Sequence, residues 1–125
     1  MTKKKKILVV DDSPYQRFRA KKFLRDNGFK VFEAEDGIDA VQLYRKVSPD
    51  LVIMDINMPI MEGIDAVRYI RKVNSNATVI MFSAIDDEKT VLEAIKAGAR
   101  DYIVKPLDPE LMLKTVNKYL EEEKD

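Results

Sequence analysis

The chain has 125 residues, 46% hydrophobic and 35% charged, a balance that fits one globular domain with a sizeable core. Its 22 basic and 22 acidic side chains cancel, which argues against nucleic acid as the main partner, because that partner needs a dominant basic field. Cysteine and histidine are both missing, so disulfides, thiol nucleophiles, phosphohistidine, histidine bases and histidine metal ligands are all excluded.

In chain order, the start "MTKKKK" is basic and the apolar run behind it, "ILVV", is only four residues long. That is too short for a secretory signal, and no later run reaches membrane-spanning length. The expectation is a cytoplasmic protein with no membrane insertion, complete from Met1. The lysine run 3–6 and the acidic tail 121–125 are read as solvated ends.

Five short apolar segments then alternate with five amphipathic ones. "KILVVD" (6–11) is the first predicted strand. Ala20, Phe23 and Leu24 mark a helix behind it, opened by Ser13-Pro14 and closed by Gly28. "KVFEAE" (30–35) is the second strand, followed by the stripe Ala40, Leu43, Tyr44 and Val47. "LVIMD" (51–55) is the third, with Ala66, Tyr69, Ile70 and Val73 after it. "TVIMFS" (78–83) precedes Val91, Ala94 and Ile95, with Gly98 as the stop. "YIVK" (102–105) precedes a helix capped at Asp108-Pro109 and striped by Met112, Leu113, Val116, Tyr119 and Leu120. Phe18, Met54 and Met81 are read as core.

Five βα units in succession predict an α/β fold: a doubly wound, five-stranded parallel sheet of the flavodoxin-like type, strand order 2-1-3-4-5. Such sheets bind ligands outside the carboxyl ends of strands 1 and 3. Those ends carry Asp11 and Asp12 on one strand and Asp55 on the other. Strand 4 ends in the hydroxyl of Ser83 and strand 5 in the ammonium of Lys105. Three carboxylates in one crevice repel each other unless a cation or a proton intervenes. Without nitrogen or sulfur ligands they suit a hard cation, magnesium above all, with manganese as a substitute. The full set suits phosphoryl transfer to a carboxylate: one aspartate as nucleophile, metal and lysine neutralising charge, the hydroxyl donating to a phosphoryl oxygen. Taken singly, each residue reads as a cap, a turn or a solvated group. Their convergence on one rim carries the functional reading.

"VVDDSP", "MDINMPIMEG", "MFSA" and "DYIVKP", in this order and spacing, resemble the receiver domain of two-component response regulators, across almost the whole chain. The chain is most similar to single-domain, CheY-like receivers. The resemblance implies that Asp55 is the phosphoacceptor, Asp12 a direct magnesium ligand and Asp11 one acting mainly through water. It implies that the main-chain carbonyl of Asn57 completes the metal site. Ser83 would be the switch hydroxyl, Lys105 the lysine that meets the phosphoryl group, and Pro106 a proline preceded by a cis bond. Tyr102 would be an aromatic that turns inward on activation, although a strand tyrosine also reads as plain packing. Asn57 and Ile85 would tune loss of the group, with an apolar Ile85 hindering the attacking water.

The implied partners are a histidine kinase as donor and a downstream protein that reads the helix 4–strand 5–helix 5 face, with a chemotaxis-type output. A monomer that dimerises on activation fits the same pattern. Three rival readings are a relay intermediate serving a histidine phosphotransfer protein, a magnesium phosphohydrolase and an unphosphorylated pseudo-receiver. The phosphohydrolase would place its nucleophile in an Asp-x-Asp pattern on strand 1, where this chain has an adjacent pair. The intact Asp12, Asp55 and Lys105 set argues against the pseudo-receiver.

Overall fold

Residues 3–122 are described by a computed structural model, with side chains as far as Glu121. Five strands alternate with five helices: β1 (Lys6–Val10), α1 (Pro14–Asp26), β2 (Lys30–Ala34), α2 (Gly37–Val47), β3 (Leu51–Met54), α3 (Gly63–Val73), β4 (Val79–Ser83), α4 (Glu88–Ala97), β5 (Asp101–Val104) and α5 (Pro109–Glu122). The strands form one sheet in the order β2-β1-β3-β4-β5, with every pair parallel. This is the doubly wound architecture that the alternation of periods predicts.

The strands are apolar on both faces because both faces are covered. Successive side chains point to opposite sides of a strand, and the core divides accordingly. Leu8, Val10, Val52, Met54, Val79 and Met81 pack with α2, α3 and α4 residues such as Tyr44, Ile70 and Ala94. Ile7, Val9, Leu51, Ile53, Ile80 and Phe82 pack with Leu24 of α1 and with Met112, Val116 and Leu120 of α5. The two layers are continuous through the sheet, so Met54 and Met81 are core as expected.

Helix ends follow their chemistry. The Ser13 hydroxyl accepts from Gln16 N at 3.3 Å, with Pro14 opening α1. The Asp87 carboxylate caps α4 through Thr90 N, and Asp108 Oδ1 accepts from Glu110 N and Leu111 N at the start of α5. Gly28 and Gly98 take positive φ at the exits of α1 and α4, which a side chain would resist.

Four apolar residues depart from expectation. Phe18 is 56% exposed: it lies two residues before Ala20, about 200° around the helix from the face that meets the sheet. Tyr69, Val73 and Ile95 are also exposed. They border the buried stripes of α3 and α4, and a helix covering one side of a sheet leaves those borders in solvent. At the amino end, Lys3 and Lys4 are exposed as expected. Lys6 instead begins β1, and its Nζ donates to Val47 O at 3.1 Å. Glu121 is exposed, and the side chains of the remaining tail, 122–125, lie outside the described residues.

Truncating Ile70, fully buried where α3 meets the sheet, should cost about 2–5 kcal/mol as Ile70→Ala. Phe18→Ala should change stability by no more than about 0.5 kcal/mol. Urea unfolding of the two variants checks both values and the direction in which Phe18 faces.

Candidate functional site

Three side chains are delivered to one point by the sheet itself. Asp11, Asp55 and Lys105 each stand one residue past the end of a strand, and each still gives its N–H to the ladder. Asp11 N donates to Ala34 O at 3.1 Å, Asp55 N to Val10 O at 3.0 Å and Lys105 N to Ser83 O at 2.9 Å. Parallel register therefore sets where these backbones sit, while their side chains leave the sheet at its carboxyl edge.

β5 is separated from β3 by β4, and the long lysine stem closes that gap. It passes the Phe82 ring, with Nζ 5.5 Å from the centroid. Nζ lies 2.7 Å from Asp11 Oδ2 and 3.4 Å from Asp55 Oδ2. Asp11 and Asp55 are buried and Lys105 is nearly so. Ser13 N donates to the other Asp11 oxygen at 2.9 Å, and Ile56 N to Asp55 Oδ1 at 2.8 Å. Asp12 differs: it is exposed, and no donor among the described residues reaches its carboxylate.

Burial pushes the Asp55 carboxyl above the ordinary carboxylate range, and the Asp11 charge adds to the rise. The Lys105 ammonium opposes both without cancelling them. Asp11, Asp12 and Asp55 each offer an oxygen within 4.8 Å of the other two. Three carboxylates against one ammonium leave a deficit of two positive charges, and the donors are all oxygen. The arrangement fits a hard divalent cation. Asn57, also exposed, lies two residues beyond Asp55 with its carbonyl free of any donor among the described residues.

The hydroxyl side of the rim is organised around one residue, Ile85. Ser83, buried at the end of β4, accepts from Ile85 N at 3.2 Å. Tyr102 on β5 donates its hydroxyl to Ile85 O at 2.6 Å. Burial raises the Tyr102 phenol above its usual value, so it keeps the proton that it donates. The Lys105–Pro106 peptide is cis.

Asp11, Asp12, Asp55 and Lys105 thus meet at one rim, and Ser83 and Tyr102 are joined to each other through Ile85. Gly63 was inside a quoted motif with no role attached. It opens α3, its N–H donates to Ile56 O at 2.8 Å, and a Cβ there would overlap the Asp55 carbonyl. A glycine opening a helix soon after a strand-end aspartate was the available signal of close backbone approach.

A doubly wound sheet with an acidic pocket and a lysine at its carboxyl edge is the build of a receiver domain. The chain belongs to the response regulator receiver domain family, whose model matches residues 7–117. It is 47% identical over 116 residues to the chemotaxis protein CheY of Bacillus subtilis, spanning 92% of this chain and 97% of that protein. It is 44% identical over 115 residues to CheY of Thermotoga maritima, spanning 91% and 96%. Among solved structures, a CheX–CheY–BeF3–Mg complex from Borrelia burgdorferi matches at TM-score 0.87 and 36% identity, covering 91% of this chain and 87% of that one. The protein is a CheY-like receiver.

The native state holds the Asp55 proton more tightly than the unfolded chain does. The Asp55 contribution to stability therefore falls as pH rises from the ordinary carboxylate range through its raised value, and it stays lower at neutral pH. Without divalent cations, Asp55→Asn should melt above wild type at pH 7, with the gain vanishing in acid. Magnesium should raise the wild-type midpoint and leave that of the variant nearly unchanged. Thermal unfolding across pH, with and without magnesium, reads both effects.

Proposed function

We propose that the chain is a phosphorylation-controlled signalling switch whose acceptor is Asp55. The observation that carries this reading is Lys105 Nζ, which lies within reach of both Asp11 and Asp55 in a pocket short of positive charge. Magnesium would be held by Asp12 and Asp55, by Asp11 mainly through water, and by the Asn57 carbonyl. When bound, it supplies positive charge that offsets the incoming phosphoryl oxygens.

An Asp55 carboxylate oxygen attacks phosphorus, a P–O bond to the aspartate forms, and the bond to the donor imidazole or acyl oxygen breaks. Lys105 turns from Asp11 toward the new phosphoryl oxygens. The Ser83 hydroxyl donates to the same group, and its hydrogen bond from Ile85 N is given up. Ile85 is also the acceptor for Tyr102, whose ring already packs against the core, so displacement of Ile85 breaks that bond and changes the setting of the ring. Ile85 packs against the core and restricts water reaching Asp55, which lengthens the life of the acyl phosphate.

The switch is read on the α4–β5–α5 face, where Leu92, Ile95, Val104 and Leu111 are all exposed. Exposed apolar side chains on these elements suit a protein partner. The CheY relatives support a chemotaxis-type output, with a histidine kinase upstream. Phosphorylation biases an existing two-state equilibrium and builds no new fold. The protein's own turnover serves the signal.

Incubation with acetyl phosphate and magnesium should add one phosphoryl group by intact mass. Chelator or Asp55→Asn should abolish the adduct. A magnesium-dependent adduct that persists in Asp55→Asn would place the acceptor elsewhere. Ser83→Ala should still take up the group, while the change in Tyr102 environment, read by NMR of the ring, is largely lost.

A further inference from the structure

The turn between β1 and α1 is held from outside by a side chain. Arg17, in the first turns of α1, donates from one guanidinium nitrogen to the Asp11 carbonyl at 2.7 Å. Among the described residues no backbone N–H donates to that carbonyl. The guanidinium is itself anchored: its Nε lies 3.4 Å from Glu33 Oε1, and Lys21 holds the other Glu33 oxygen at 2.9 Å. Partial burial acts to raise the Glu33 carboxyl, but Lys21 and Arg17 outweigh it and keep the group below its usual range. The anchor is therefore a carboxylate at neutral pH.

The Asp11 carbonyl and the Asp12 N–H belong to one planar peptide unit. Holding its oxygen holds the plane that joins the two candidate metal ligands. The Asp11 side chain has tethers of its own in Ser13 N and Lys105. The Asp12 carboxylate has none among the described residues, which leaves the backbone beneath it as its tether to the turn.

We infer that Arg17, anchored by Glu33, is a positioning residue that sets the geometry of the Asp11–Asp12 pair for a small divalent cation. The inference rests on the metal-site reading above. A guanidinium near this pocket repels a dication, so its charge alone would weaken binding. The benefit lies in geometry, and it is largest for magnesium. Magnesium demands near-ideal octahedral placement, whereas calcium tolerates irregular sites.

The test is the affinity of wild type, Arg17→Met, Arg17→Lys and Glu33→Gln for magnesium and for calcium, by amide NMR titration, with urea midpoints in parallel. Arg17→Met should weaken magnesium about tenfold, the scale of lost outer-shell support, with calcium weakened less. Arg17→Lys should recover part of the loss, because an ammonium can reach the carbonyl but cannot serve Glu33 through a planar fork. Glu33→Gln should weaken magnesium by about two- to threefold, a fraction of that outer-shell scale, and it decides the matter if Arg17→Met fails to fold.

Equal or tighter magnesium binding in Arg17→Met, the result of removing charge alone, overturns the inference. So does an equal loss for both ions. A wild type that binds no magnesium, or an Asp12→Ala variant that binds it undiminished, overturns the metal-site reading instead and takes the inference with it.

Discussion

The structure turns on the concentration of negative charge at the carboxyl edge of a parallel sheet, where Asp11, Asp12 and Asp55 share one pocket and Lys105 reaches across it. A buried carboxylate is costly in proportion to what it lacks in partners. Here the shortage is left standing: burial and the Asp11 charge lift Asp55 above its ordinary range despite the lysine. The site is short of positive charge, and a divalent cation would relieve that shortage. Much of the surrounding architecture can be understood as what is needed to hold those charges in place.

A parallel sheet suits the task because all its strands end on the same side. Each of the three residues that meet keeps one ladder hydrogen bond through its N–H while its side chain projects beyond the edge. The backbone is rigid where it must be, and only the side chains face the pocket. The double-layered core beneath, with β1 and β3 buried on both faces, leaves the pair at the centre little freedom to separate. The close seating of α3 against the Asp55 carbonyl at Gly63, and the clasp of Arg17 on the Asp11 carbonyl, extend that rigidity into the loops.

Beside the pocket the construction is looser by design of its bonds. Ile85 is held through its N–H by Ser83 and through its carbonyl by Tyr102, two single hydrogen bonds on an otherwise short connection between β4 and α4. The rigid and the more loosely held parts of the rim thus lie on neighbouring strands.

The sequence by itself determined the element order, the two periods and the residues at the strand ends. Alternation of strand and helix, with nearly unbroken apolar strands, left a covered parallel sheet as the economical solution, and the rule of ligand sites beyond strands 1 and 3 then pointed to Asp11, Asp12 and Asp55. Ser83 and Lys105 were legible for the same reason. What it could not decide is which way a side chain faces and what it touches there. Phe18 was apolar and looked like core, yet helix phase turns it to solvent. Tyr69, Val73 and Ile95 carried the right spacing, but only the width of the covered face settles where a stripe stops being buried. Lys105 meets Asp11 across 94 positions of sequence, and Tyr102 meets Ile85 across 17. Such pairings depend on sheet order and register together, which no local pattern contains, and for that reason the tertiary structure alone decided them.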